Sequence, residues 1–162
     1  SLADLRAVRK EVSIPVLRKD FIGNKYQIAE ARAAGADLIL LIVAALDEQT
    51  LQELYDFTLE LGMTPFVETH TPEEVEKAVS LGAQLIGVNA RNLKNFELDR
   101  DLFASVQDLI PSDRIKVAES AVLSVEDVEH YRKSGADVVL VGEALATSAD
   151  PQERVKQFTS VI

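Results

Sequence analysis

The sequence predicts an α/β fold made of six strand–helix units around a parallel sheet. Three observations carry this. Short apolar runs alternate with longer amphipathic stretches along the whole chain, the pattern of repeated βαβ units with right-handed crossovers. A junction recurs three times, Gly35-Ala36-Asp37-Leu38-Ile39, Gly82-Ala83-Gln84-Leu85-Ile86 and Gly135-Ala136-Asp137-Val138-Val139, each a helix stop followed at once by an apolar strand. The run from Asp37 to Val43 is almost continuous in Leu, Ile and Val, which suits a strand covered on both faces.

Each element follows from local signals. Ser1 is a candidate N-cap for a first helix with Leu2, Leu5 and Val8 on one face. The first strand is expected over Ile14–Leu17, with Pro15 near its start, where a missing donor does least harm. A helix over Tyr26–Ala34 ends at Gly35 as a C-cap. The second strand, Asp37–Val43, precedes a helix from Asp47 to about Leu61 that Gly62 stops. Met63–Glu68 is the third strand. Thr71-Pro72-Glu73-Glu74 opens the next helix, with Thr at the cap, Pro at the first position and acids in the first turn; it stops at Gly82.

Gln84–Asn89 is the fourth strand, and a longer connection follows, Ala90–Asp99. A helix over about Arg100–Ile110 ends at Pro111. Ile115–Glu119 is the fifth strand, followed by a helix that Ser124 caps and Gly135 ends. Asp137–Gly142 is the sixth strand, and Asp150-Pro151 opens a closing helix. Neither a linker nor a low-complexity tract interrupts the chain, so residues 1–162 are expected to form a single domain. The units fit either a doubly wound open sheet or an incomplete (β/α)8 barrel. No Gly-rich nucleotide fingerprint follows the first strand, which weakens the doubly wound case, but periodicity leaves both open.

Composition narrows the function classes. The 162 residues are 47% hydrophobic and 27% charged, as in soluble globular proteins. A net charge of −10 argues against nucleic acid or an anionic membrane surface as partner. An anionic substrate would need a local positive site against that field. The absence of cysteine excludes disulfides, cysteine-ligated zinc and a thiol nucleophile. The longest apolar run, Leu38–Leu46, is too short to span a membrane, and no leader pattern is visible, so a cytoplasmic location is expected. The chain begins at Ser1 and its one methionine is Met63, so an excised or processed piece of a longer protein is also expected.

Polar residues collect where the strands stop: Lys19, Glu68, Asn89, Arg91, Glu119, Ser120 and Glu143. In parallel α/β proteins, ligands bind beyond the carboxyl ends of the strands. A lysine, carboxylates, an amide and an arginine there would make an acid/base site with anion binding. Any one of these is as readily a solvated strand end, since the chain carries 27 acids. Several strands ending in reactive groups are harder to dismiss. Glu68 and Glu119, in half-buried positions, are expected to have perturbed proton affinity.

Four motifs make the resemblance specific: Pro15-Val16-Leu17-Arg18-Lys19-Asp20-Phe21, Leu40-Leu41-Ile42-Val43, Gly87-Val88-Asn89-Ala90-Arg91-Asn92-Leu93 and Val117-Ala118-Glu119-Ser120. With their spacing, they resemble indole-3-glycerol phosphate synthase over essentially the whole chain. The resemblance implies a TIM-type (β/α)8 barrel, here six units of an incomplete one. It also implies a tryptophan-biosynthesis lyase that closes the ring of 1-(2-carboxyphenylamino)-1-deoxyribulose 5-phosphate with loss of carbon dioxide and water, using neither metal nor cofactor.

By the same resemblance Lys19 is the general acid for the substrate carbonyl, a role that suits an ammonium. Glu68, Asn89 and Glu119 join it as catalytic groups. Arg91 lies near the substrate carboxylate, and Phe21, Leu40 and Leu93 line the anthranilate ring, although plain core packing explains Leu40 equally well. Ser120, Ala121, Gly142 and Glu143 form the phosphate end. Two features depart from the family pattern. Ala121 stands where a glycine is usual, and alanine resists positive φ; Glu143 must turn away from any phosphate bound beside it. The resemblance also places the family's first two strands, with a catalytic glutamate and lysine, outside this chain. It would then be inactive alone and self-associate, or pair with the missing piece, through open barrel edges. Two alternatives stay open: another phosphate-binding barrel enzyme of tryptophan or histidine biosynthesis, or a non-catalytic structural barrel fragment.

Overall fold

The computed structural model describes residues 1–93 and 95–161. Six strands form one sheet: β1 (Leu17–Arg18), β2 (Leu38–Ile42), β3 (Thr64–Thr69), β4 (Leu85–Asn89), β5 (Ile115–Glu119) and β6 (Val138–Leu140). They lie in chain order, each parallel to the next. A doubly wound sheet would reverse its order at a switch point, so the sequential order decides for the barrel type. The curl shows in the packing. Leu17 of β1 and Leu140 of β6 meet the same inner cluster of Leu40, Ile42, Phe66 and Val117.

The helices are α1 (Leu2–Glu11), α2 (Lys25–Ala34), α3 (Glu48–Glu60), α4 (Pro72–Ser80), α5 (Leu102–Val106), α6 (Val125–Lys133), α7 (Glu143–Ala146) and α8 (Pro151–Thr159). Six of these starts, all but those of α5 and α7, are fixed by side-chain oxygens that accept the first free amides: Ser1, Asn24, Asp47, Thr71, Ser124 and Asp150. Among the described residues no helix is long and apolar enough to cross a membrane. The larger core lies between sheet and helices and holds Ile39, Leu41, Val67, Ile86 and Ala118. Alternate residues of the same strands, Leu40, Phe66 and Val117, face the inner cluster.

The recurring Gly-Ala-Asp junction has a structural role. The Asp37 carboxylate accepts the Val16 amide at 2.8 Å, and Asp137 accepts the Lys116 amide at 2.8 Å. Each aspartate thus ties the start of its strand to the preceding one. Gln84 at the middle junction turns back to the Gly82 carbonyl instead. At Gly35 the backbone has φ of 94°, and a Cβ there would sit 2.6 Å from the Arg9 side chain. That close approach lets Arg9 reach Asp37 at 2.7 Å.

Four expectations need correction. The first strand is Leu17–Arg18 and not Ile14–Leu17; Ile14 is 68% exposed. With β2 as its one partner, β1 has no second ladder to extend it amino-terminally. Val8 is exposed, so the buried face of α1 rests mainly on Leu5. The helix expected over Arg100–Ile110 is α5 followed by a 3-10 turn at Gln107–Leu109. The sixth strand ends at Leu140, because Gly142 already starts the short α7.

Candidate active site

The inner face of the sheet changes from apolar to polar toward the carboxyl ends of its strands. A period of two along β3 puts Phe66 and then Glu68 inward. On β5 it is Val117 and then Glu119, and on β4 Gly87 and then Asn89. Lys19 follows β1 in the same phase as Leu17. Strand alternation therefore delivers one lysine, two glutamates and an asparagine to one end of the barrel.

Lys19 Nζ donates to Glu68 Oε2 at 2.9 Å and to Glu119 Oε2 at 3.1 Å. Glu68 Oε1 accepts from Asn89 Nδ2 at 3.0 Å and lies 3.2 Å from His70 Nε2. Asn89 Oδ1 in turn accepts from Ser120 Oγ at 2.7 Å and from the Arg91 amide at 3.0 Å. Both glutamates are fully buried, at 2% and 1% exposure, deeper than the half-burial expected of them. Asn89 is buried beside them, while Lys19 is about half exposed.

The two carboxyls are not equivalent. Burial pushes Glu119 up to about 8, and the nearby Glu68 charge adds to this against the opposing pull of Lys19. Burial also works to raise Glu68, but His70, Lys19 and Asn89 outweigh it and hold it well below the usual range. The Lys19 ammonium is favoured, because the two glutamates overcome its own desolvation. The surroundings thus favour the Lys19 ammonium and the Glu68 carboxylate, while Glu119 holds its proton more readily than an ordinary carboxyl. The site can donate protons and accept them.

Beside this cluster lies a cavity of about 560 Å³ lined by Lys19, Asn89, Arg91, Glu119 and the segments Ser120–Leu123 and Leu140–Glu143. Ser120 and Ala121 both adopt left-handed backbone, φ 68° and 54°. Such strained positions concentrate at ligand-binding turns. Glu143, also in the lining, turns toward Arg91, Oε2 to Nη2 at 3.4 Å. Lys19 and Arg91 supply local positive charge within a chain of net charge −10. Among the described residues no set of three or more side chains gathers that could hold a metal ion.

The fold brings together Lys19, Glu68, Asn89, Arg91, Glu119, Ser120, Ala121, Gly142 and Glu143. It does not bring Phe21 with them. That ring is 68% exposed on the loop after β1 and is not part of the cavity lining. Leu40 is buried in the inner cluster, and Leu93 packs against that cluster. Two residues escaped the sequence reading. His70 stands two residues after Glu68, and the continued alternation was the signal that could have found it. Gly87 lies mid-strand, a position that marks close approach of another group. A Cβ on Gly87 would lie 2.1 Å from Glu119 Oε1 and 2.8 Å from the Phe66 ring.

Comparison with known proteins bears on the fold and on the family. Among solved structures, 3-hexulose-6-phosphate synthase from Salmonella typhimurium superposes with a TM-score of 0.77 at 22% identity, covering 99% of this chain and 79% of that one. Another 3-hexulose-6-phosphate synthase structure gives 0.81 at 20% identity, covering 99% and 80%. Likeness at that identity speaks for the fold alone. In sequence, indole-3-glycerol phosphate synthase from Leifsonia xyli is 61% identical over 161 residues, 99% of this chain and 62% of that protein. The enzyme of that name from Arthrobacter sp. is 57% identical over 160 residues, 99% of this chain and 59% of that protein. The chain thus spans about three fifths of the length of these relatives. The family model described as indole-3-glycerol phosphate synthase matches residues 1–158, and with these identities the chain belongs to the indole-3-glycerol phosphate synthase family.

Proposed function

We propose that this chain carries the acid/base half of an indole-3-glycerol phosphate synthase site. It would act in the ring closure of 1-(2-carboxyphenylamino)-1-deoxyribulose 5-phosphate in tryptophan biosynthesis. The observation that supports this best is the Lys19 ammonium held between the buried Glu68 and Glu119 at the edge of a cavity. The chemistry asks for such a set. A proton must reach the carbonyl oxygen as the aromatic carbon attacks the carbonyl carbon. Carbon dioxide then leaves that ring carbon and aromaticity returns. Finally the hydroxyl leaves as water while a base takes a proton from the methylene carbon beside nitrogen. Lys19 suits the first donation, and its neighbouring glutamates, one neutral and one charged, suit the later transfers.

Asn89 orients Glu68, and Arg91 faces the cavity as a partner for the substrate carboxylate. Leu40 and Leu93 offer an apolar surface for the ring, with Phe21 able to serve there only if its loop folds inward. Ser120, Ala121 and Gly142 form the phosphate end, and Glu143 is kept off it by Arg91. No step calls for a metal or a cofactor.

The chain alone is expected to be inactive, because the matched relatives carry about two fifths of their length beyond this match. The test follows product indole fluorescence with this chain alone and mixed with a separately made fragment covering the relatives' unmatched residues. Turnover that requires both supports the reading. No turnover by a stable, stoichiometric mixture rejects it.

A further inference from the structure

Lys19 bridges two buried glutamates, but the surroundings of their other oxygens differ. Glu68 has both carboxylate oxygens hydrogen-bonded, Oε2 by Lys19 and Oε1 by Asn89, and His70 Nε2 lies 3.2 Å from Oε1 as a close contact without hydrogen-bond alignment. Glu119 has Oε2 on Lys19, while its buried Oε1 has no partner among the described residues. The imidazole of His70 is itself bracketed. Nε2 faces Glu68 Oε1 at 3.2 Å and Nδ1 faces Glu74 Oε2 at 3.3 Å. The same Glu74 oxygen accepts the His70 backbone amide at 2.7 Å, which pins the ring's base to the first turn of α4.

A neutral imidazole offers one donor and one acceptor, whereas an ionised carboxylate can only accept. A bare lone pair on either ring nitrogen would lie 3.2–3.3 Å from a carboxylate oxygen, so these surroundings favour the imidazolium. We infer that His70 is a positioning residue: clamped by Glu74, it sets its charge beside Glu68 and reserves that group as the carboxylate of the pair, leaving Glu119 to carry the exchangeable proton. The inference rests on the acid/base reading above. The titratable groups around the ring are Glu68 at the end of β3, Glu74 on α4, and Lys19 across Glu68. Burial opposes the charged ring, but the two glutamates prevail and raise His70 to about 9.

The experiment uses this chain and does not need turnover. His130 is the other histidine of the sequence, so His130→Gln leaves one imidazole to follow by proton–carbon NMR. Carbon-13 labelling of glutamate carboxyls, with Glu68→Gln and Glu119→Gln for assignment, shows which carboxyl takes the proton near neutral pH. The expected result is an imidazole charged at pH 7 and titrating near 9, with the high carboxyl transition on Glu119 alone. In His70→Gln that transition should become shared between Glu119 and Glu68, a change that simple loosening of the fold would not produce. Should His70→Gln fail to fold, Glu74→Gln should lower the His70 midpoint and move the proton the same way. A His70 titrating at or below the ordinary 6.5, or a transition left on Glu119 alone in the folded variants, overturns the inference. Failure of the synthase reading would show differently, as absent turnover with these titrations unchanged.

Discussion

Gly87 makes room for Glu119. A Cβ on Gly87 would stand 2.1 Å from Glu119 Oε1, so the carboxyl occupies the space of the missing side chain on the adjacent strand. Gly87→Ala should therefore displace Glu119 or the Phe66 ring, with an overpacking cost of about 1–3 kcal/mol. Thermal denaturation checks the stability loss. An Ala variant as stable as the parent would show that the carboxyl is free to move away.

Lys19→Ala removes the cation that bridges the two buried carboxyls. In the complemented assay it should lower kcat by about 10²-fold or more, the scale of general acid catalysis. Near-normal turnover would remove Lys19 from the mechanism.

Ala121 holds a φ of 54° directly after Ser120 at 68°. Ala121→Gly relieves that left-handed strain and lets a phosphate approach the backbone more closely. Calorimetry should show tighter binding of inorganic phosphate. Unchanged or weaker binding would count against placing the phosphate there.

Stability should depend on pH in a defined sense. His70 is raised from 6.5 to about 9, so its contribution is complete below pH 6.5 and lost as pH rises through 9. Glu119 is raised from 4.5 to about 8; the folded state keeps a proton that the unfolded chain has released, and stability falls over that interval. Glu68 is lowered from 4.5, so its contribution is lost on acidification below that value. Urea denaturation should find the greatest stability near pH 4.5, with a decline above it that Glu119 begins and that steepens above pH 6.5 as His70 joins it. His70→Gln should flatten the upper part of that decline. A profile level from pH 5 to 9 in the parent chain would contradict these assignments.

The sheet ends at β1 and β6, each paired on one side. Exposed apolar side chains lie beside those edges, Ile14 before β1 and Val138 within β6. Open parallel edges recruit partners, so the chain should self-associate in sedimentation experiments, and the complementing fragment should reduce this. A monomer at high concentration would show that the edges are protected.

Much of this was written locally. The junctions at Gly35, Gly82 and Gly135, the caps at Ser1, Thr71 and Ser124 and the apolar runs determined which elements form and in what order. Those signals depend on neighbours a few residues apart. The same periodicity put Lys19, Glu68, Asn89 and Glu119 at strand ends, and so made them candidates. Strand order was beyond it, since a doubly wound sheet and a barrel share one alternation of elements. Only the pairing of β1 through β6 in sequence and the meeting of Leu17 with Leu140's cluster decided for the barrel. The full burial of both glutamates, the bridge from Lys19 and the room left by Gly87 also came from tertiary structure. Each depends on residues far apart in the chain brought within about 3 Å, a distance that packing sets and local sequence does not encode.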